Sequence, residues 1–301
     1  MLRVYSTPNR GVSEARNLAI RESAGDVIAP LDSDDVWHPT YLEKMVGRYE
    51  ERGGAVGLVY SGFRLIDMND CVIRTAPHYV TEGNAFYQML ILNYVGNGSG
   101  MVFGRQQAIE ARLYDTSRSG NEDYLLQLML AWNHPVSGVP EYQVGYRNRP
   151  GSLSKRTHYM VRNHLKLLGE LRGLLPGIDP QTLVWARAQI HDYYSYILLR
   201  HGRFTKVFAP WHNVMALVLD PVSYVRRPLA RLRERARQRD QRARLEAEGY
   251  HGDFFNWSPT TGMVLDGTLP MRMRECVALD RARGRAAASP RSSSPLALGG
   301  I

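Results

Sequence analysis

The chain has 301 residues, 44% hydrophobic and 22% charged, enough apolar side chain for a sizeable core and too much for a mainly disordered sequence. Its two cysteines, Cys71 and Cys276, are far apart and lack metal-ligand spacing, which argues against a disulfide scaffold or zinc site and for a reducing interior. The net charge of +9 sits late: residues 1–225 hold 23 basic against 21 acidic side chains, residues 226–248 hold 9 against 4, and residues 272–301 hold 6 against 2. The near-neutral N-terminal part is not expected to bind nucleic acid. No secretory leader pattern opens the sequence, and no uncharged apolar run approaches the ~18 residues of a membrane span.

In chain order, residues 12–24 have helical periodicity, with Val12, Ala15, Leu18 and Ala19 on one face and Gly25 as the stop. Val27 to Leu31 is a short apolar run suited to a buried parallel strand, with Pro30 near its end or at an edge. Pro39 opens a helix over residues 40–51, with Leu42, Met45, Val46 and Tyr49 on one side. Residues 55–65 and 101–103 read as strands, and 106–111 and 122–132 as helices. This alternation predicts an α/β fold for residues 1–157: a Rossmann-like mixed sheet flanked by helices. Helical patterns over residues 158–173, 180–201 and 204–218 follow, then an Arg-rich helical segment, 226–248, in an extension covering 158–250. Residues 251–301 read as an irregular to disordered tail, most clearly the Ala-, Ser-, Pro- and Gly-rich stretch 284–301.

The stretch richest in chemistry is Asp32-Ser33-Asp34-Asp35-Val36-Trp37-His38-Pro39. On extended backbone, Asp32 and Asp34 would share one face at the carboxyl end of a strand, where open α/β sheets bind ligands. Such hard oxygen ligands suit Mg²⁺ or Mn²⁺ bridging a diphosphate. The competing reading is a solvated acidic turn, with Asp35 capping the helix that follows. Glu122-Asp123 likewise reads either as charge favouring a helix N-terminus or as a catalytic carboxylate. Arg16 reads as an exposed helix arginine on its own, and Tyr146 to Ser154 as a Pro-Gly turn with solvated arginines.

Taken together, Asn9-Arg10-Gly11 to Asn17, Gly25-Asp26 and Leu31 to Pro39 resemble the central signature of family 2 glycosyltransferases. The resemblance implies a GT-A fold and inverting sugar transfer from a nucleotide-sugar donor to a saccharide or lipid-linked acceptor. It implies Asp34 as metal ligand, Asp32 against the donor ribose or the metal, and Arg16 near the nucleotide, with Mg²⁺ or Mn²⁺ as cofactor. Gly120-Asn121-Glu122-Asp123-Tyr124-Leu125 resembles the family's Glu-Asp motif, which implies Asp123 as general base. Tyr146 to Ser154 resembles the loop that closes the family's catalytic domain, which implies that Arg147 meets a donor phosphate; His158 is a weaker candidate for an extra ligand. The implied process is cell-surface polysaccharide or glycolipid synthesis, at the cytoplasmic face of the membrane.

The resemblance covers residues 4–157. Family members begin with an apolar strand, a turn and a second strand whose aspartate grips the nucleotide base; none of these precedes Asn9, so by analogy roughly 60 to 80 residues of the nucleotide half are expected to be missing. Two rivals to an active transferase follow from the sequence: a non-catalytic remnant and a nucleotidyltransferase of related fold. The nine arginines of residues 226–248 are read as a solvated helix or as attraction to an anionic membrane surface.

Overall fold

The computed structural model describes residues 2–152, 155–201, 205–228, 231–232, 239, 253–260 and 272–288. Seven strands form one mixed sheet: β1 (Val27–Ile28), β2 (Val36–Trp37), β3 (Leu58–Ile66), β4 (Val72–Thr75), β5 (Glu82–Gly83), β6 (Met101–Gly104) and β7 (Val136–Arg147). Its main path runs β1-β6-β3-β7-β2, with β4 added to β3 and β5 to β7. Among the described strands, β3 and β7 pair in parallel and the other pairings are antiparallel. The expected buried parallel strand at residues 27–31 is therefore a two-residue edge strand, antiparallel to β6 and half-exposed. Pro30 removes the next ladder donor, and the chain turns away there.

Period-two side-chain alternation divides the core between the two faces of the sheet. Leu58, Tyr60, Met101 and Phe103 point to one side, into the larger cluster with helices α3 (Phe86–Ile91) and α5 (Glu122–Asn133). Val59 and Val102 point to the other, where helix α2 (Tyr41–Glu51) covers them with Tyr41, Met45 and Tyr49. Leu42, expected on that inner side, is exposed. The 12-residue β7 is the longest strand, and no element was expected there. Pro140 and Glu141 fall where the β3–β7 register jumps from Ser61–Val139 to Gly62–Tyr142, so this bulge breaks the alternation that would have revealed the strand.

Helix α1 (Val12–Glu22) forms where expected but buries a different face: Ser13, Asn17 and Ile20, while Ala15 and Ala19 are exposed. The polar residues face inward because they have partners. Asn17 exchanges two hydrogen bonds with the backbone of Tyr114, at 2.8 and 2.9 Å. Helix α4 (Arg105–Glu110) follows β6 directly.

Beyond the sheet, α6 (Thr157–Leu174), α7 (Pro180–His201) and α8 (Ala209–Leu219) confirm the helical region, and residues 221–228 continue as helix. Most of the Arg-rich segment lies outside the described residues. The expectation of an irregular tail is corrected over two stretches. Residues 273–288 form helix α9 (Met273–Ala288), whose Ala- and Arg-rich composition favours helix until Ser289-Pro290. Its buried Asp280 accepts hydrogen bonds from the backbone N–H groups of Tyr87 (2.9 Å) and Gln88 (3.1 Å), capping α3 across the fold. Residues 253–260 lie against the sheet: Phe254 is buried with Ile66 and Val72, and Tyr142 N–H donates to the Pro259 carbonyl at 2.8 Å.

Candidate active site

Three loops meet at one end of the sheet: residues 29–35 between β1 and β2, residues 96–100 leading into β6, and the turn before α5. Asp32 to Asp35 are not extended. The Asp35 N–H donates to the Asp32 carbonyl at 3.1 Å, closing a turn. Asp32 and Asp34 therefore do not share a face through strand alternation; the turn gives each carboxylate its own arginine. Asp32 pairs with Arg16, and Asp34 with Arg149 at 2.7 Å.

Asp35 is the structural member of the triplet. It is buried, accepts the Ser99 hydroxyl at 2.6 Å and the Arg147 N–H at 2.9 Å, and so ties the acidic turn to the 96–100 loop and to the end of β7. Burial pushes its carboxyl up to about 6, against the opposing pull of those two hydrogen bonds; Asp32 and Asp34 add to the rise. Helix α2 begins without a side-chain cap, so Asp35 does not play the capping role considered for it.

Arg16 projects from α1 into the junction. Its guanidinium pairs with Asp32, donates to Glu122 at 3.4 Å, and lies 5.1 Å from the centre of the Tyr114 ring. Burial works against its charge, but Asp32, Tyr114 and Asp123 more than offset this, and its pKa is raised overall. Arg16 is thus not an exposed helix arginine. Gly98 packs close beside it: a Cβ there would lie 3.2 Å from the Arg16 Nη2 and 3.7 Å from an Asp32 carboxylate oxygen, so a side chain would press on the arginine. Ser99 completes this wall, donating from its hydroxyl to Asp35 and accepting from the Asp32 N–H at 3.1 Å and, at its carbonyl, from Trp37 Nε1 at 2.8 Å.

Glu122 and Asp123 open α5 after a turn in which Gly120 (φ 87°) and Asn121 (φ 62°) are left-handed. The two positive φ values suit a glycine and an asparagine. Helix α6 holds this turn in place: Tyr159 Oη and Asn163 Nδ2 both donate to the Ser119 carbonyl, at 2.6 and 2.7 Å. Glu122 accepts the Gly120 N–H at 2.9 Å and meets Arg16, whereas Asp123 accepts only the adjacent Tyr124 N–H at 2.7 Å. Burial and then the Glu122 charge push the half-buried Asp123 carboxyl up to about 6, despite Arg16.

Arg147 lies at the same end of the sheet, but its guanidinium is occupied within the protein. It donates to the carbonyls of Asp34 (2.7 Å) and Asp67 (2.6 Å) and pairs with Asp70. These bonds fasten the acidic turn to the β3–β4 loop; Arg149, not singled out in the sequence, reaches the Asp34 carboxylate instead. His158 packs edge-on against Phe208, with ring centres 5.0 Å apart.

Among the described residues, no group of three or more His, Cys, Asp or Glu side chains forms a metal cage. One or two carboxylates, completed by substrate phosphate and water, are nevertheless the usual donor set for Mg²⁺. Asp34 fits that pattern: its carboxylate is 29% exposed and its partner Arg149 is 54% exposed, so the pair can open toward solvent. Asp32, tied to an arginine only 13% exposed, is less free to take a metal.

Residues 1–112 match the family model described as "Glycosyl transferase family 2". That region of similarity includes Arg16, Asp32 and Asp34 and ends before Asp123 and Arg147. The amylovoran biosynthesis glycosyltransferase AmsE of Erwinia amylovora is 25% identical over 178 residues, 56% of this chain and 65% of the relative. An uncharacterized glycosyltransferase of Rickettsia felis is 24% identical over 138 residues, 46% of this chain and 22% of the relative. The chain therefore spans less than two thirds of the length of either relative. Among solved structures, S. aureus TarS aligns with 11% identity and a TM-score of 0.37, covering 68% of this chain and 42% of that one.

Proposed function

We propose that the protein transfers a sugar from a nucleoside-diphosphate sugar to a hydroxyl acceptor with inversion at the anomeric carbon. The observation that carries this reading is Arg16. Its one guanidinium reaches both Asp32 and Glu122, so the aspartate turn and the Glu122-Asp123 helix start are held side by side.

In this reading the Asp123 carboxylate takes the acceptor hydroxyl proton while the oxygen attacks the anomeric carbon from the face opposite the nucleoside diphosphate. The new C–O bond forms as the C–O bond to the β-phosphate breaks, and its electron pair leaves with the diphosphate. A carboxyl held near 6 is mostly ionised at pH 7, yet more basic than an ordinary aspartate. Arg16 fixes the distance between the two acidic segments and supplies positive charge near the donor. Asp34 is the residue that would hold Mg²⁺ or Mn²⁺, whose contribution when bound is to offset charge on the diphosphate. Asp35 and Arg147 hold the turn in shape and touch neither donor nor acceptor. The name of the Erwinia relative supports polysaccharide assembly as the process, with a growing saccharide or lipid-linked saccharide as acceptor.

The test is to offer a panel of nucleoside-diphosphate sugars with Mn²⁺ and saccharide acceptors, and to determine the product's anomeric configuration by NMR. An α-linked donor should yield a β-linked product. A product of retained configuration would exclude the single displacement that Asp123 is assigned to assist.

A further inference from the structure

Helix α8 and its continuation carry an apolar ridge that nothing in the sheet domain uses. Its inner side, Ala209, His212 and Ala216, is buried, with His212 Nδ1 lying 2.8 Å from His191 Nδ1 of α7. Within α8, Trp211, Val214 and Val218 are spaced by three and four residues and share one exposed face; Val207 in the turn before it, and Val222 and Val225 in the helical stretch after the break at Asp220, are exposed as well. These side chains are open to solvent: Trp211 is 61% exposed, Val218 69% and Val225 71%. Single exposed valines need no explanation, but a run of exposed apolar side chains of this size does.

Near the ridge the sequence is mostly basic, and of its arginines Arg227 and Arg231 pair with Asp192 of α7. From residue 193 to 233 the sequence holds seven Lys and Arg residues and one acidic residue, Asp220. That carboxylate is buried (3% exposed) and paired with Arg272 at 2.8 Å, so it does not face outward. Arg226, beside Val225, is exposed. Two copies meeting through this face in a two-fold contact would set the same cations against each other. An anionic lipid surface instead takes the apolar side chains among its acyl chains and places its headgroups against the arginines. No helix among the described residues is long and apolar enough to cross a membrane, which leaves the ridge to lie along the surface.

We propose that the outer face of residues 207–225 is an in-plane docking surface for anionic membrane, with Trp211 and the valines inserted at the headgroup boundary. The proposal does not depend on the reaction assigned above.

The test uses the whole protein with vesicles of phosphatidylcholine, alone or with about a third phosphatidylglycerol, an anionic fraction chosen for a strong surface potential. The protein should sediment with the anionic vesicles at low salt, and brominated lipid should quench a fluorescence component that Trp211→Phe removes. Val214→Asp/Val218→Asp, both changes at exposed positions, should lower the bound fraction about tenfold or more, with circular dichroism and melting temperature unchanged. If that variant is misfolded, Val222→Asp/Val225→Asp carries the same expectation. Equal binding to neutral vesicles, no binding to anionic ones, or binding that folded ridge variants leave intact would overturn the proposal. So would a wild-type dimer in sedimentation velocity that the ridge variants dissociate, because the ridge would then be a surface for a second copy.

Discussion

The acidic turn at Asp32–Asp35 and the helix start at Glu122-Asp123 use the same functional group in two environments. In the turn, Asp32 and Asp34 each face an arginine and remain about a third exposed, at 31% and 29%. At the helix start, Asp123 forms no ion pair with an arginine among the described residues, and burial with the neighbouring Glu122 charge lifts its carboxyl to about 6. Carboxylates that remain solvated and charge-paired can exchange an arginine for a metal–diphosphate complex. A carboxylate partly withdrawn from water and set beside a second carboxylate can accept a proton. Division of labour between the two sites thus follows from surroundings rather than residue type.

The largest effect expected from this division is at Asp123. Asp123→Asn removes the proton acceptor with little change in shape, and turnover at saturating donor should fall by roughly 10²- to 10⁴-fold while donor affinity stays nearly constant. Steady-state kinetics together with donor titration by calorimetry separates these outcomes. Near-normal turnover would dissolve the contrast between the two acidic sites.

A smaller effect is expected from pH. The base must be ionised, so turnover should fall as pH drops through about 6, approaching roughly a tenfold loss per pH unit below it. Asp35 is also held near 6, but its oxygens are engaged by Ser99 and by the Arg147 N–H. The acidic limb should therefore vanish from the residual activity of Asp123→Asn. A limb that persists unchanged in that variant would belong to Asp35 or another group.

Much of the sheet domain was legible because its elements are short and regularly punctuated: α1, α2, α5 and the core of β3 fall close to where periodicity predicts them. The failures share a physical cause. Strand β7 hides its alternation behind the Pro140-Glu141 bulge. Helix α1 turns polar Ser13 and Asn17 inward because Asn17 has a backbone partner 97 residues away, a contact no local pattern encodes. Helix α9 is anchored by Asp280 capping α3 from nearly 200 residues downstream, and without that contact the whole of residues 251–301 reads as an irregular tail. At the site, motif spacing identified Arg16, Asp32, Asp34 and Asp123 as chemical candidates. It did not reveal that the turn isolates Asp32 from Asp34, that Asp35 is the structural carboxylate, or that the Arg147 guanidinium is already occupied. Those features depend on chain reversals between segments distant in sequence.

The smallest effect sharpens the comparison from the turn's side. Arg149 and Asp34 form an ion pair at 2.7 Å with the arginine side chain 54% exposed, and such surface pairs contribute only about 0–1 kcal/mol. Arg149→Ala should therefore leave the melting temperature almost unchanged. It should also free the Asp34 carboxylate from its competing cation, so Mn²⁺ in the presence of nucleoside diphosphate should bind a few-fold more tightly, read by calorimetry. Asp34→Asn is the control: it removes the charged ligand, should weaken metal-dependent nucleotide binding, and should abolish any gain from Arg149→Ala when the two are combined. An additive double variant would mean that Arg149 acts directly on the diphosphate rather than through Asp34. Unchanged metal dependence in Asp34→Asn would return the acidic turn to a solvated loop, leaving Asp123 as the only carboxylate of the pair with a chemical task.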